Sequence, residues 1–157
     1  MSIEIVKKYL DRFGLKNKVI EFKVSSATVE LAAAAAGVIP ARIAKTLSFK
    51  GEDSALLIVT SGDTKIDNKK YKERFGIKAK MLKADEVIAY TGHEVGGVCP
   101  FAIKDPKVKI YLDESMKRFD TILPAAGSSN SCVELTIKEL EKASQAEEWV
   151  DVCKIQV

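Results

Sequence analysis

The chain has 157 residues, 46% hydrophobic and 30% charged, with a formal net charge of +3. That composition describes one ordinary globular domain with enough length to bury a core. Residues 1–8 already carry Glu4, Lys7 and Lys8, unlike a secretory leader, and the longest apolar run, 31–37, is too short to span a bilayer.

Cys99, Cys132 and Cys153 are widely spaced and odd in number, which argues against a disulfide framework and for a reducing cytoplasm. His93 is the only histidine and no CxxC or HxxxH spacing occurs, so no metal site is expected. The charge is unevenly spread. Lys65, Lys69, Lys70, Lys72, Arg74, Lys78, Lys80 and Lys83 face only Asp67 and Glu73 in sequence, whereas residues 134–151 are acidic. A basic stretch on a mixed protein reads either as a polyanion footprint or as a solvated lysine surface.

In chain order, Ile3, Val6, Leu10 and Phe13 predict a helix stopped by Gly14, and 19–24 reads as a strand. Ser25 to Thr28 offers N-caps for an alanine-rich helix ending at Gly37, its small residues suited to close packing. From Pro40 a short turn passes into a strand carrying Lys45. The Lys45 stem can snorkel to solvent, or it can present a point charge to a carbonyl oxygen or phosphate in a pocket. The strands 47–49 and 55–60 bracket Gly51 to Ser54 as a hairpin.

Beyond a turn at 61–63, Asp67 caps a basic helix closed by Gly76. A strand over 77–82, a short helix over 85–90 and a strand over 108–112 follow. Asp113 opens another helix through Arg118; 121–126 is extended, with Pro124 hinting at an edge or bulge. A short strand over 133–135, a helix opened by the capping box Thr136 to Glu139, and a strand over 149–157 complete the reading. Without a regular βαβ rhythm this is an α+β single domain, 1–157, with a mixed, mostly antiparallel β-sheet surrounded by helices.

The stretch Gly92-His93-Glu94-Val95-Gly96-Gly97-Val98-Cys99-Pro100-Phe101 stands apart. Adjacent glycines and a proline make a stiff loop with bare amides, able to cradle a carbonyl oxygen or phosphate, or simply to connect two elements. Together with Ile43-Ala44-Lys45-Thr46-Leu47 and the run from Asp113 to Ser128, its order and spacing resemble the YbaK/ProX family of aminoacyl-tRNA editing domains. The resemblance covers roughly residues 24–152.

The resemblance implies a cytoplasmic trans-editing hydrolase, without metal or organic cofactor, that deacylates mischarged tRNA. Alanine or cysteine on proline tRNA is the family's usual substrate. The implied partners are the tRNA acceptor end and prolyl-tRNA synthetase, with no membrane and no DNA. Water would attack the ester while Lys45 and amides around Gly97 and Gly127 act as the catalytic set. Phe22, Thr46, Gly96, Val98, Cys99, Pro100 and Ser128 are the expected substrate contacts, with Phe22 or Val24 as a wall. Lys69, Lys70, Lys72 and Lys80 are expected to bind the tRNA. Thr46 stands where alanine-selective relatives carry asparagine, and Cys99 where many carry serine, so alanine, cysteine, serine and threonine all remain open. A non-catalytic tRNA or amino-acid binding module, and a thiol enzyme using Cys99 with His93 as base, are the competing readings.

Overall fold

The computed structural model describes residues 2–156. The fold is α+β. Strands β1 (Val19–Glu21), β2 (Ile43–Lys50), β3 (Ala55–Ser61), β4 (Thr64–Ile66) and β5 (Lys109–Asp113) are followed by β6 (Thr121–Pro124), β7 (Ser131–Val133), β8 (Leu135–Thr136), β9 (Glu148–Val150) and β10 (Cys153–Ile155). Helices α1 (Ser2–Asp11), α2 (Val29–Ala36), α3 (Asn68–Phe75), α4 (Ala84–Thr91) and α5 (Ile137–Ser144) lie around them.

A six-stranded sheet runs β8-β6-β2-β3-β5-β9, and two-stranded ribbons β1-β7 and β4-β10 flank it. The β2–β3 hairpin is antiparallel from Ala44↔Ser61 to Lys50↔Ala55. Parallel ladders join β2 to β6, β3 to β5 and β5 to β9, while β6–β8 and both ribbons are antiparallel. Antiparallel pairings outnumber parallel ones among the described residues.

β3 explains the layering. All seven of its residues are buried, as a central strand covered on both faces requires. Leu57 and Val59 join Val6 and Leu10 of α1 and Leu140 and Ala143 of α5 in one core. Leu56 and Ile58 point the other way, against Tyr71 of α3 and Cys153 of β10. A third cluster sets Ala32 and Ala33 of α2 against Ile43, Leu123 and Cys132, with Phe22 packed on it. The helix ends follow local chemistry. Thr28 and Asp67 accept N-terminal amides of α2 and α3, Thr136 and Glu139 close a capping box on α5, and Gly37 and Gly76 are left-handed caps.

Elsewhere tertiary pairing overrides the local pattern. Of residues 19–24, only 19–21 pair, against β7. Residues 77–82 make a single bridge, Phe49↔Met81, held by Lys50 N to Lys80 O (2.8 Å) and Leu82 N to Ser48 O (3.1 Å), because they only brush the end of β2. Expected strand 133–135 breaks at Glu134 between β7 and β8. The C-terminal run splits into β9 and β10 where the Asp113 carboxylate accepts the Val152 amide at 3.0 Å. Strand β4, which had no periodic signal, forms by pairing with β10.

Candidate active site

The outer edge of β2 is covered in two places. β6 pairs with Ile43 and Ala44, ending at Ala44↔Pro124, and the 80–82 segment reaches Ser48 and Lys50. Residues 45–47 lie between these covers. Because Ser48 O and Lys50 N both point to this edge, the two-residue period of a strand aims the Thr46 amide and carbonyl into the same gap.

A small cavity of about 130 Å³ occupies this edge. Lys45 and Thr46 line it from β2; Ser26, Ala27 and Thr28 from the segment entering α2; Val95, Gly96 and Val98 from the glycine-rich turn; Ser131 and Cys132 from β7. At roughly 30 Å³ per water, the space equals about four water volumes and suits a short side chain. A larger cleft of about 630 Å³ lies at the far end of the hairpin, between Gly51–Leu56 and Pro106–Lys109; neither Lys45 nor the glycine turns reach it.

Neighbouring Lys45 and Thr46 point to opposite faces of β2, and both meet the cavity because it sits on the strand edge. The Lys45 ammonium donates to the Thr64 carbonyl. Burial lowers its pKa, with Cys153, Asp63 and Glu30 opposing that shift. Arg118 clamps Asp63 through two nitrogens, at 2.7 and 3.0 Å, and this pairing holds the Asp63 carboxyl below its usual range.

The glycines work by closeness. A Cβ on Gly97 would sit 2.6 Å from Ser128 N and 2.7 Å from Gly127 C, so the two glycine turns touch backbone to backbone. Gly127 has φ +92°, and a Cβ there would lie 2.8 Å from Val6 Cγ2. Ser128 Oγ contacts Ser131 Oγ at 2.6 Å, one step behind the cavity wall.

Of the residues singled out from sequence, Lys45, Thr46, Gly96 and Val98 come together at the cavity. Gly97 and Gly127 form the turn-to-turn contact beside it, and Ser128 supports Ser131. Phe22 packs behind Ala32, Ile43, Leu123 and Cys132, backing the wall without lining it. Val24 is exposed. Cys99 and Pro100 are buried on the far side of the loop, Cys99 inside the main core. Expected contacts at these two positions are therefore corrected to packing, because the loop turns only Val95, Gly96 and Val98 toward the cavity.

Burial pushes the Cys99 thiol up to about 12, leaving it protonated at neutral pH. His93 is buried as well, and its Nε2 donates to the Phe101 carbonyl at 2.7 Å. That leaves Nδ1 to accept from Ser2 Oγ. Cys99 Sγ lies 3.6 Å from His93 Nε2, but that nitrogen carries the proton given to the Phe101 carbonyl. Both side chains are also buried away from the cavity, which weighs against a Cys99–His93 thiol mechanism.

Among the basic residues, Lys65 follows Thr64 directly and stands opposite Lys154 on the β4–β10 ribbon, both exposed. Lys69 and Lys70 lie in the first turn of α3, and Lys70 pairs with Asp151 at 3.1 Å. Lys80 sits beside Lys50, five residues or about 17 Å along β2 from Lys45. Sequence reasoning missed Ser26, whose burial at 7% exposure no local pattern signals. It also treated the alanines of α2 as packing alone, whereas Ala32 lines the cavity.

The geometry can be set beside known proteins. The chain is 54% identical over 156 residues to the uncharacterized protein YwhH of Bacillus subtilis, covering 98% of each. It is 29% identical over 126 residues to the proline–tRNA ligase of Thermosipho melanesiensis, matching 80% of this chain but only 22% of the ligase. A crystal structure described as a proposed trans-editing enzyme for prolyl tRNA synthetase superposes with a TM-score of 0.87 at 30% identity, covering 98% of this chain and 97% of that one. Residues 24–143, which hold β2, both glycine turns and every residue around the cavity, match the aminoacyl-tRNA editing domain, and the chain belongs to that family.

Proposed function

We propose that the protein is a deacylase that acts in trans on mischarged transfer RNA, removing a small amino acid from the acceptor end. The observation that carries this reading is the cavity of about 130 Å³ on the uncovered edge of β2, lined by Lys45, Thr46 and the Gly96 turn, a space on the scale of a small side chain. Its similarity to a proposed trans-editing enzyme for prolyl tRNA synthetase, and to a segment of a proline–tRNA ligase, supports proline tRNA as the carrier.

Hydrolysis of an aminoacyl ester places negative charge on the carbonyl oxygen as water attacks the carbonyl carbon. The bond to the ribose oxygen then breaks, and that oxygen leaves with a proton. A half-buried ammonium and a backbone N–H on a strand edge stabilise such an oxyanion without needing to reorganise. Lys45 is assigned this role, with the Thr46 amide and the turn amides around Gly97 and Gly127 as further donors. A small pocket excludes the bulkier correct amino acid, which a synthetase cannot do to its smaller competitors by contact alone. Lys65, Lys69, Lys70, Lys72 and Lys80 are assigned to the RNA phosphates.

The test is release of labelled amino acid from one proline tRNA charged in turn with proline, alanine, cysteine, serine and threonine. Wild type runs beside Lys45→Ala, with both folds checked by circular dichroism. Loss of a small residue that spares proline and requires Lys45 bears the reading out. Survival of every ester, with RNA still bound, replaces it with a binding module.

A further inference from the structure

The run from Asp113 to Arg118 lines no part of the cavity, yet its side chains reach the turn that holds Lys45. That turn, residues 61–64, joins β3 to β4, and its Thr64 carbonyl accepts from the Lys45 ammonium. Several segments fix it in place. Gly62 N donates to the Ile43 carbonyl at 2.7 Å, and a Cβ on Gly62 would sit 2.6 Å from Val29 Cγ1. Gln156 N donates to the Asp63 carbonyl at 2.8 Å. Ser115 Oγ accepts from the Ser61 amide at 3.3 Å and meets Thr60 Oγ1 at 3.1 Å; the Thr60 and Thr64 hydroxyls join at 2.7 Å.

Arg118 completes the arrangement. Its Nε donates to the Ser115 carbonyl at 2.7 Å, and its two terminal nitrogens clamp the Asp63 carboxylate. The two side chains stay partly exposed, at 35% and 26%, and a pair so placed contributes little to stability. Its position gives it a different use. Asp63 directly precedes the residue that holds Lys45, close enough for each charge to shift the other's titration. Lys45 nevertheless forms no ion pair among the described residues, because Arg118 has taken up that carboxylate.

The difference bears on the chemistry. An ammonium has three donors, and one neutral carbonyl leaves two of them for an incoming oxyanion. A carboxylate in direct contact would instead offset the charge that the oxyanion needs. The other titratable groups facing Lys45 are Glu30, exposed on α2, and Cys153 on β10, whose thiol is pushed by burial up to about 11. Glu30 is solvated and Cys153 neutral, which leaves Asp63 as the anion to be restrained.

We infer that Arg118 is a positioning residue for this site: it occupies both oxygens of Asp63, so that the carboxylate does not capture the Lys45 ammonium and the ammonium stays available to the ester oxyanion. This rests on the deacylase reading above and adds to it a residue that lies outside the cavity.

The experiment follows two readouts in wild type, Arg118→Gln and the double variant Asp63→Asn with Arg118→Gln. One is kcat on the proline tRNA ester that wild type cleaves fastest among the alanyl, cysteinyl, seryl and threonyl esters. The other is the titration of the Lys45 ammonium by NMR with isotope-labelled lysine, its signal identified by its loss in Lys45→Met. Arg118→Gln frees Asp63, so Lys45 should titrate at higher pH than in wild type and kcat should fall by about tenfold or more. The double variant removes the freed carboxylate as well. Lys45 should then return toward its wild-type titration, and most of the lost kcat should come back. A purely structural pair predicts otherwise, since the double variant lacks the same clamp and gains nothing from losing its second half.

An undiminished kcat in Arg118→Gln, a double variant as slow as the single one, or an unmoved Lys45 titration overturns the inference and leaves the deacylase reading standing. If wild type cleaves no ester, the deacylase reading falls and the titration alone decides. A rise in Arg118→Gln that the double variant reverses then upholds the restraint of Asp63 by Arg118, and an unmoved titration overturns both.

Discussion

Lys45 concentrates the chemistry at the scale of a single side chain. Burial holds its ammonium below the ordinary 10.5, so the native state releases that proton before the unfolded chain does. Between the lowered native value and 10.5 the unfolded chain binds more protons, and stability from this group rises with pH across that window. Below the window the cost of burying the charge is present in full. Lys45→Met keeps the stem and removes the charge, so it should raise the urea midpoint at neutral pH while lowering kcat by on the order of 10²–10³. Turnover in the wild type should fall on an alkaline limb lying below 10.5. A limb at 10.5 or above, or an active Lys45→Met, removes Lys45 from the oxyanion. Cys99 makes the opposite case. With its thiol buried and pushed up to about 12, iodoacetamide should label it only after denaturation, and Cys99→Ala should keep its turnover. Rapid labelling with loss of activity would revive the thiol reading.

At the scale of elements, the site depends on two glycine turns pressed together beside one strand edge. Gly97→Ala forces a Cβ to within 2.6 Å of backbone that cannot rotate away, at a cost of about 1–3 kcal/mol, and it moves the turn that lines the cavity. Thr136→Ala supplies the comparison. It loses the cap that accepts the Glu139 amide at 3.1 Å, costs about 1 kcal/mol, and leaves the cavity alone. Urea titrations should show both variants destabilised, while only Gly97→Ala loses deacylation beyond what its unfolded fraction explains. Parallel loss in both would mean activity reports global stability alone. Caps such as Thr28, Asp67 and Thr136 were legible in the sequence because they act within one turn of their own helix. The pairing of β4 with β10, and the interruption at residues 80–82, were not, because each depends on a strand distant in the chain.

On the scale of the whole molecule, basic side chains gather on the β4–β10 ribbon and along α3. Lys65 and Lys154 stand directly opposite each other on an exposed ribbon, an arrangement that is unfavourable until an anion lies across it. Lys69 and Lys72 continue the surface along α3. The affinity for tRNA should therefore fall with salt, and Lys65→Ala, Lys69→Ala and Lys72→Ala combined should reduce the slope of log K against log salt by about 2–3. An unchanged slope would assign RNA binding to another face.

Residue type and spacing alone marked Lys45 and the Gly96-Gly97 turn, because a charge inside an apolar strand and paired glycines are local signals, whereas Thr46 was marked only by the family resemblance. They also determined the helix ends and the central hairpin, which are set by neighbours within a few residues. Only the tertiary structure decided which of those residues meet. The gap between β6 and residues 80–82 on the edge of β2, the burial of Ser26, and the turning of Cys99 into the core all arise from contacts between distant segments. No local periodicity encodes them. Strand order and sheet register place them, and those are selected by how the whole chain buries its apolar faces.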